Sequence, residues 1–215
     1  MKLAILGATG RTGKWVLQTA LKNGHTVHAL VRNKTKLENY QGNLTVFEGV
    51  PSDNDLLAKA ITGCDALIST LNISRTSDFP WAKLRTPPTL MSDTVKKIID
   101  TGLVKRVVVC SAWGTHETKK DIPAWFRFMI NNSKIGLGYA DHERQETLLK
   151  NSNLDWTIVR PVGLINSEKE KEIRVILDKT QKPRLTISRK NVAKFMVEAV
   201  EKNVYIKQTP VISYK

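Results

Sequence analysis

Short unbroken apolar runs alternate along this chain with stretches in which apolar residues recur every three or four positions. Leu3-Ala4-Ile5-Leu6 is the first run, and Gly7 ends it. A run without polar alternation suits a strand covered on both faces. From Gly13 to Asn23 the spacing of Trp15, Val16, Ala20 and Leu21 predicts a helix, which Gly24 stops. HTVHALV (25–31) is the second strand, a short helical piece spans 34–39, and 44–47 is the third strand. Ser52-Asp53-Asn54-Asp55 supplies capping residues for a helix closed by Gly63. DALISTL (65–71), a helix over 87–101 led in by prolines, and RVVVC (106–110) come next. A helix over 139–150 and the strand WTIV (156–159) follow.

Past Pro161 the rhythm changes. KEIRVIL (171–177) and RLTI (184–187) read as short strands, 190–202 as an amphipathic helix, and TPVISY (209–214) as a last strand. Strands alternating with helices predict βαβ units and a mostly parallel sheet with helices on both faces. The fold class is therefore α/β, a single doubly wound Rossmann-type domain. At 215 residues one domain over 1–215 is expected, with a small substrate-side extension from about 162 to 215.

Composition adds limits. The two cysteines, Cys64 and Cys110, border apolar runs and read as reduced core thiols, which fits a cytoplasmic setting. The four apolar residues before Gly7 are too few for a secretory signal, and no run reaches the ~18 apolar residues of a membrane span. No metal site is expected. The net charge of +14 is spread along the chain, without a basic arm or block. Nucleic-acid binders gather their cations on one face, so a basic field that attracts anionic small molecules is the better reading.

The chemistry starts at GATGRTG (7–13), between the first strand and the first helix. Gly7 allows a tight turn, Gly10 lets backbone approach a pyrophosphate, and Gly13 lets the helix pack against the sheet. The helix-start amides have no partner within the helix and point at an anion. Thr9 and Thr12 add hydroxyls and Arg11 a charge. An NAD site places an acid at the end of the second strand, for the ribose 2′-hydroxyl. Here that end reads Leu30-Val31-Arg32-Asn33-Lys34, and no acid occurs before Glu38. A guanidinium at Arg32, with Asn33, Lys34 and Lys36 beside it, suits a 2′-phosphate. The expected cofactor is NADP(H).

GATGRTG, LVRN, PPTLMSDT (87–94), VVVCSAWG (107–114), DHERQETLLKNSNLDWTIVRP (141–161) and ISRKNVAKFMVEAV (187–200) follow in an order that resembles the atypical short-chain dehydrogenase/reductases. The likeness points to their biliverdin-IXβ reductase/flavin reductase branch and to the NmrA-like proteins. It implies that Gly7, Thr9, Gly10, Arg11 and Thr12 hold the pyrophosphate, and Arg32 and Lys36 the 2′-phosphate. It also implies that Thr70, Leu71 and Met91 flank the cofactor, that Ser111 and His142 approach the nicotinamide, and that Pro161 and Val162 shape its carboxamide site. Three departures stand out. Gly49-Val50 replaces a Gly-Asp pair, so only the Val50 backbone would meet the adenine. Tyr139 is followed four residues later by Glu143 in place of lysine, which argues against ordinary alcohol dehydrogenation. Gly163 stands where biliverdin reductases carry histidine.

The expected activity is NADPH-dependent hydride transfer to a planar acceptor, a flavin or quinone. The alternative is a non-catalytic NADP(H)-sensing regulator with a protein partner. Segments 72–86 and 113–137, the latter rich in aromatics, are expected to wall the acceptor pocket. Arg75, Arg85 and Arg127 are candidates for an anion on the acceptor. His142, with an ordinary histidine pKa near 6.5, is the candidate proton donor.

Overall fold

In the first strand, β1 (Lys2–Leu6), Leu3 and Ile5 face one apolar cluster while Ala4 and Leu6 face another. The same alternation holds in β5 (Arg106–Cys110), where Val108 lies opposite Val107 and Val109. It holds again in β6 (Asp155–Pro161), where Val159 lies opposite Trp156 and Ile158. Unbroken apolar runs are therefore strands sandwiched between two helical layers. Each fully buried Leu, Ile or Val stabilises the sandwich by about 1.5–3 kcal/mol.

The structure is a computed structural model, and it describes residues 1–178 and 181–215. The remaining strands are β2 (Thr26–Val31), β3 (Leu44–Glu48), β4 (Ala66–Ser69), β7 (Gly163–Ile165), β8 (Ile173–Ile176), β9 (Thr186–Ser188) and β10 (Val211–Tyr214). Eight of them form one sheet in the order β3-β2-β1-β4-β5-β6-β10-β8. All neighbours in it are parallel except β8, which runs antiparallel to β10. The strands β7 and β9 make a separate parallel pair beside it. Helices α1 (Gly13–Lys22) and α6 (Arg189–Glu201) cover one face. Helices α2 (Asn54–Ile61), α3 (Leu90–Thr101) and α5 (Ile135–Lys150) cover the other. Helix α4 (Ala124–Asn132) leads into α5 and packs against it. Among the described residues no helix is long and apolar enough to cross a membrane.

Two helix starts and one added strand are the main differences from the sequence expectation. Helix α3 begins at Leu90, not at the prolines, because the buried Asp141 carboxylate accepts from the amides of Met91 (2.8 Å) and Ser92 (3.3 Å) and so fixes its start. Helix α5 begins at Ile135, one turn before Tyr139. The short strand β7 is an addition, held by register pairs from Gly163↔Thr186 to Ile165↔Ser188. Both cysteines are free, Cys64 buried and Cys110 half-buried.

The sheet order reverses direction at β1, which lies between β2 and β4. Open α/β sheets bind ligands beyond the strand ends at such a point.

Candidate active site

Beyond β1 the chain turns sharply at Gly7, whose φ of +82° is left-handed. The amide of Gly10 closes the turn on the Gly7 carbonyl at 2.9 Å. A Cβ on Gly13 would stand 1.9 Å from the Gly7 carbonyl oxygen and 2.7 Å from Thr70 Oγ1, so the helix start lies directly on the loop and on β4's exit. Thr70 Oγ1 itself braces the loop from below, 3.3 Å from the carbonyls of Leu6 and Gly7. Among the described residues the amides of Arg11, Thr12 and Gly13 find no acceptor, Thr12 makes no side-chain cap, and no acid occupies the first turn of α1. Unpaired amides at a helix start form a cradle for an anion.

This cradle floors a cleft of about 1120 Å³, lined also by Leu30, Arg32, Lys36, Val50 and Leu71. Arg32 and Lys36 are exposed on its rim and have no ion-pair or hydrogen-bond partner among the described residues. Two free cations a short way from an amide cradle are what a 2′-phosphorylated dinucleotide requires, so the residues present fit NADP(H).

Not every expected cofactor residue reaches the cleft. Asn33 turns its Oδ1 back to the Thr35 amide (2.9 Å) and caps the turn over 34–37. Met91 is buried, and Leu90 and Thr94 of the same helix line the cleft in its place. Gly13 lies beneath the loop, where its lack of a side chain permits the close packing. Arg11 lines the cleft but grips Asp78 with both guanidinium nitrogens, at 3.1 and 2.8 Å. That pair is exposed, so its contribution is only about 0–1 kcal/mol, and an incoming phosphate competes for Arg11 on favourable terms.

A second cavity of about 570 Å³ opens off the first. Ser111 and His142 line both, together with Arg75 and Arg189. Pro161 and Val162 line only the second cavity, alongside Trp113, Trp125, Phe126 and Tyr139. Both expected wall segments contribute. Segment 72–86 is docked on the far side, with Trp81 Nε1 donating to the Asn132 carbonyl at 2.9 Å. Arg85 lines only the first cavity, and Arg127 lines neither. At the junction of the two cavities the cation that the sequence reading missed is Arg189, at the start of α6. Burial lowers its pKa, with Arg11 adding to the shift and Asp78 opposing it.

Two hydroxyls near the junction are committed to partners. Ser111 Oγ lies 2.6 Å from Glu146 Oε1. Tyr139 donates its hydroxyl to the Trp113 carbonyl at 3.1 Å, and burial raises its pKa. Burial lowers the His142 pKa to about 4, against the pull of Glu146 and Asp141. Burial thus favours a neutral imidazole at His142, whose buried Nδ1 has no hydrogen-bond partner among the described residues. Cys110, beside Ser111, is pushed up to about 12 by burial and stays a thiol.

The His142 shift has a consequence for stability. The unfolded imidazole takes its proton near pH 6.5, the folded one only near pH 4. Stability is therefore complete above pH 6.5 and is lost as pH falls towards and through 4. At about 1.36 kcal/mol per unit the loss is roughly 3 kcal/mol. Urea unfolding at pH 7 and pH 4 should show His142→Gln losing about that much less than the parent chain. Equal losses would contradict the buried, neutral imidazole.

A mononucleotide-phosphate cradle at the switch point of a doubly wound sheet defines a dinucleotide-binding protein. The NAD(P)H-binding family model matches residues 7–203, and the chain belongs to that family. Within that family it is similar to proteins named as oxidoreductases and to a solved short-chain dehydrogenase/reductase. Oxidoreductase GME11367 of Pestalotiopsis microspora is 29% identical over 92% of this chain and 79% of that protein. Among solved structures, the anaerobillin reductase ChuY of Escherichia coli O157:H7 aligns with a TM-score of 0.81 over 100% of this chain and 97% of that one, at 18% identity. A short-chain dehydrogenase/reductase of Veillonella parvula, solved with NADP, aligns with a TM-score of 0.79 over 99% and 94%, also at 18% identity.

Proposed function

We propose that this protein is a cytoplasmic NADPH-dependent reductase that passes hydride to a flavin, quinone or similar planar acceptor. The observation that carries the reading is the meeting of the two cavities at Ser111 and His142, one with a phosphate cradle and the other walled by aromatic rings. A bound NADPH would supply the hydride. The amides of residues 11–13 with Thr9 and Thr12 hold its pyrophosphate, Arg32 and Lys36 its 2′-phosphate, and the Val50 backbone meets its adenine. Trp113, Trp125, Phe126 and Tyr139 stack on the acceptor and keep water from the reacting faces. No side chain at the junction gives up a proton, so the acceptor is one whose reduced form takes its proton from solvent. The extension over 162–215 belongs to the acceptor side through Leu164, Leu185 and Arg189. The similar Escherichia coli protein is named as a reductase, in line with this reading.

The test is loss of nicotinamide absorbance when NADPH and a panel of flavins and quinones are mixed with the protein. Turnover above background supports the reductase. Tight NADPH binding with no turnover on any acceptor favours the NADP(H)-sensing regulator. Arg75 and Arg189 at the junction predict a preference for acceptors with an anionic arm. FMN and riboflavin share one ring system and differ in a phosphate. Arg189→Met should raise KM for FMN about tenfold, the weight of one charge-assisted contact, and leave riboflavin within about twofold. Equal effects on both would remove Arg189 from the acceptor site.

A further inference from the structure

Ser111 stands where the two cavities meet, and its hydroxyl is not free to turn. Its partner Glu146 is 0% exposed and ringed by donors. Thr115 Oγ1 lies 2.9 Å from the same Oε1, and Arg160 Nε 3.1 Å from it. Arg160 Nη2 bonds the other oxygen. Lys150 Nζ and His116 Nε2 each stand 3.7 Å from that oxygen. Arg160 is itself 1% exposed and spends its remaining edge on Glu117. Burial opposes ionisation of Glu146, but Arg160 and the Ser111 and Thr115 hydroxyls outweigh it and hold the carboxyl below the usual carboxylate range. An ionised carboxylate has no hydrogen to give. The hydrogen between Ser111 and Glu146 therefore belongs to Ser111. A hydroxyl carries one hydrogen and two lone pairs, so Ser111 offers the cavities lone pairs only.

We propose that Glu146 is a positioning residue that locks Ser111 as an obligate hydrogen-bond acceptor, so that the junction selects a nicotinamide ring bearing an N–H donor over one without it. The proposal rests on the reading that the cleft holds NADP(H) with its ring at Ser111. Its energetic basis is the asymmetry of buried hydrogen bonds: an acceptor held without a donor loses its solvation and gains nothing in return. A serine free to rotate would satisfy either kind of ligand. One locked by Glu146 and Arg160 satisfies only a donor.

The matched probes are NADP⁺ and its 3-acetylpyridine analogue, in which a methyl group replaces the amide nitrogen. Dissociation constants for both are measured by calorimetry on the parent chain, Ser111→Ala and Glu146→Gln. The parent chain should bind NADP⁺ about tenfold more tightly than the analogue, the loss expected for one orphaned acceptor. Ser111→Ala should bring the ratio to within about twofold. Glu146→Gln should do the same, because glutamine can donate its own N–H to Ser111 and turn the hydroxyl hydrogen toward the cavity. The double variant Glu146→Gln with Arg160→Met removes both buried charges together. It serves where the single change unfolds the chain, and it carries the same expectation. A merely structural Glu146 would weaken both probes equally and leave the ratio at ten. That result, or a parent ratio near one, overturns the proposal. Failure of the NADP(H) reading looks different: neither probe binds the parent chain at all.

Discussion

Arg32→Glu is expected to weaken NADPH binding by about 100-fold while changing NADH binding by no more than about threefold. The lost affinity, about 2.8 kcal/mol at 1.4 kcal/mol per decade, combines two effects. The guanidinium's paired hydrogen bonds to a dianionic phosphate disappear, and a carboxylate takes their place against the same phosphate. NADH carries a 2′-hydroxyl there and feels neither effect. Arg32 is suited to the role because it sits exposed on the cleft rim with no carboxylate neighbour to neutralise it. Lys34 is the nearby cation that does have one, with Glu48 at 3.8 Å. Lys34→Glu is therefore the internal control, with an expected change of less than about threefold for either nucleotide, in line with an exposed ion pair. Fluorescence titration of both nucleotides against both variants checks the prediction. Equal losses of NADPH and NADH in Arg32→Glu would remove Arg32 from the 2′-phosphate.

Gly13→Ala carries the second large effect. Its methyl group would overlap a backbone oxygen at 1.9 Å, and backbone cannot swing aside as a side chain can. Either α1 lifts off the sheet or the Gly7 turn opens. Overpacking of this kind costs about 1–3 kcal/mol and occasionally more, and both routes misplace the amides of residues 11–13. Thermal unfolding should show a destabilisation of about 3 kcal/mol, and nucleotide binding should fall below detection in the protein that still folds. Gly10→Ala is the contrast. Its nearest neighbour would be the Gly7 oxygen at 3.1 Å, a tight contact that a shift of a few tenths of an ångström relieves. It should destabilise by less than about 1 kcal/mol. Equal stability of Gly13→Ala and the parent chain would show that the helix does not lie on the loop.

The sheet was legible because its strands are apolar on both faces and end at glycines or capping residues. Leu3–Leu6 and Val107–Val109 have few other ways to be buried. The boundaries that escaped have local causes. The first turn of α5 contains Gly136 and Gly138, which break helical patterning, and β7 is three residues opening on Gly163. The start of α3 depends on Asp141, a residue some fifty positions away. In the site, the glycine loop and Arg32 could be read because their meaning lies in short-range spacing. Glu146, Arg160 and Arg189 could not, since each draws its role from partners far along the chain. The one available signal was Arg160 itself, a charge inside the apolar run WTIVRP. A charge there must find a buried partner, but sequence does not say which. Arg11 shows the opposite limit: its position in the loop was clear, and its pairing with Asp78 was not. His142 lines the junction, but burial lowers its pKa against the pull of Glu146 and Asp141 and leaves its Nδ1 without a partner among the described residues, which sequence alone does not show.

The account's central claim is that the cleft between β1, β2 and β4 holds a 2′-phosphorylated nicotinamide nucleotide. Calorimetric titration of the parent chain with NADPH and with NADH tests it most directly. The claim predicts one site per chain, with NADPH bound at least tenfold more tightly than NADH. No heat with either nucleotide, or tighter binding of NADH, would contradict it.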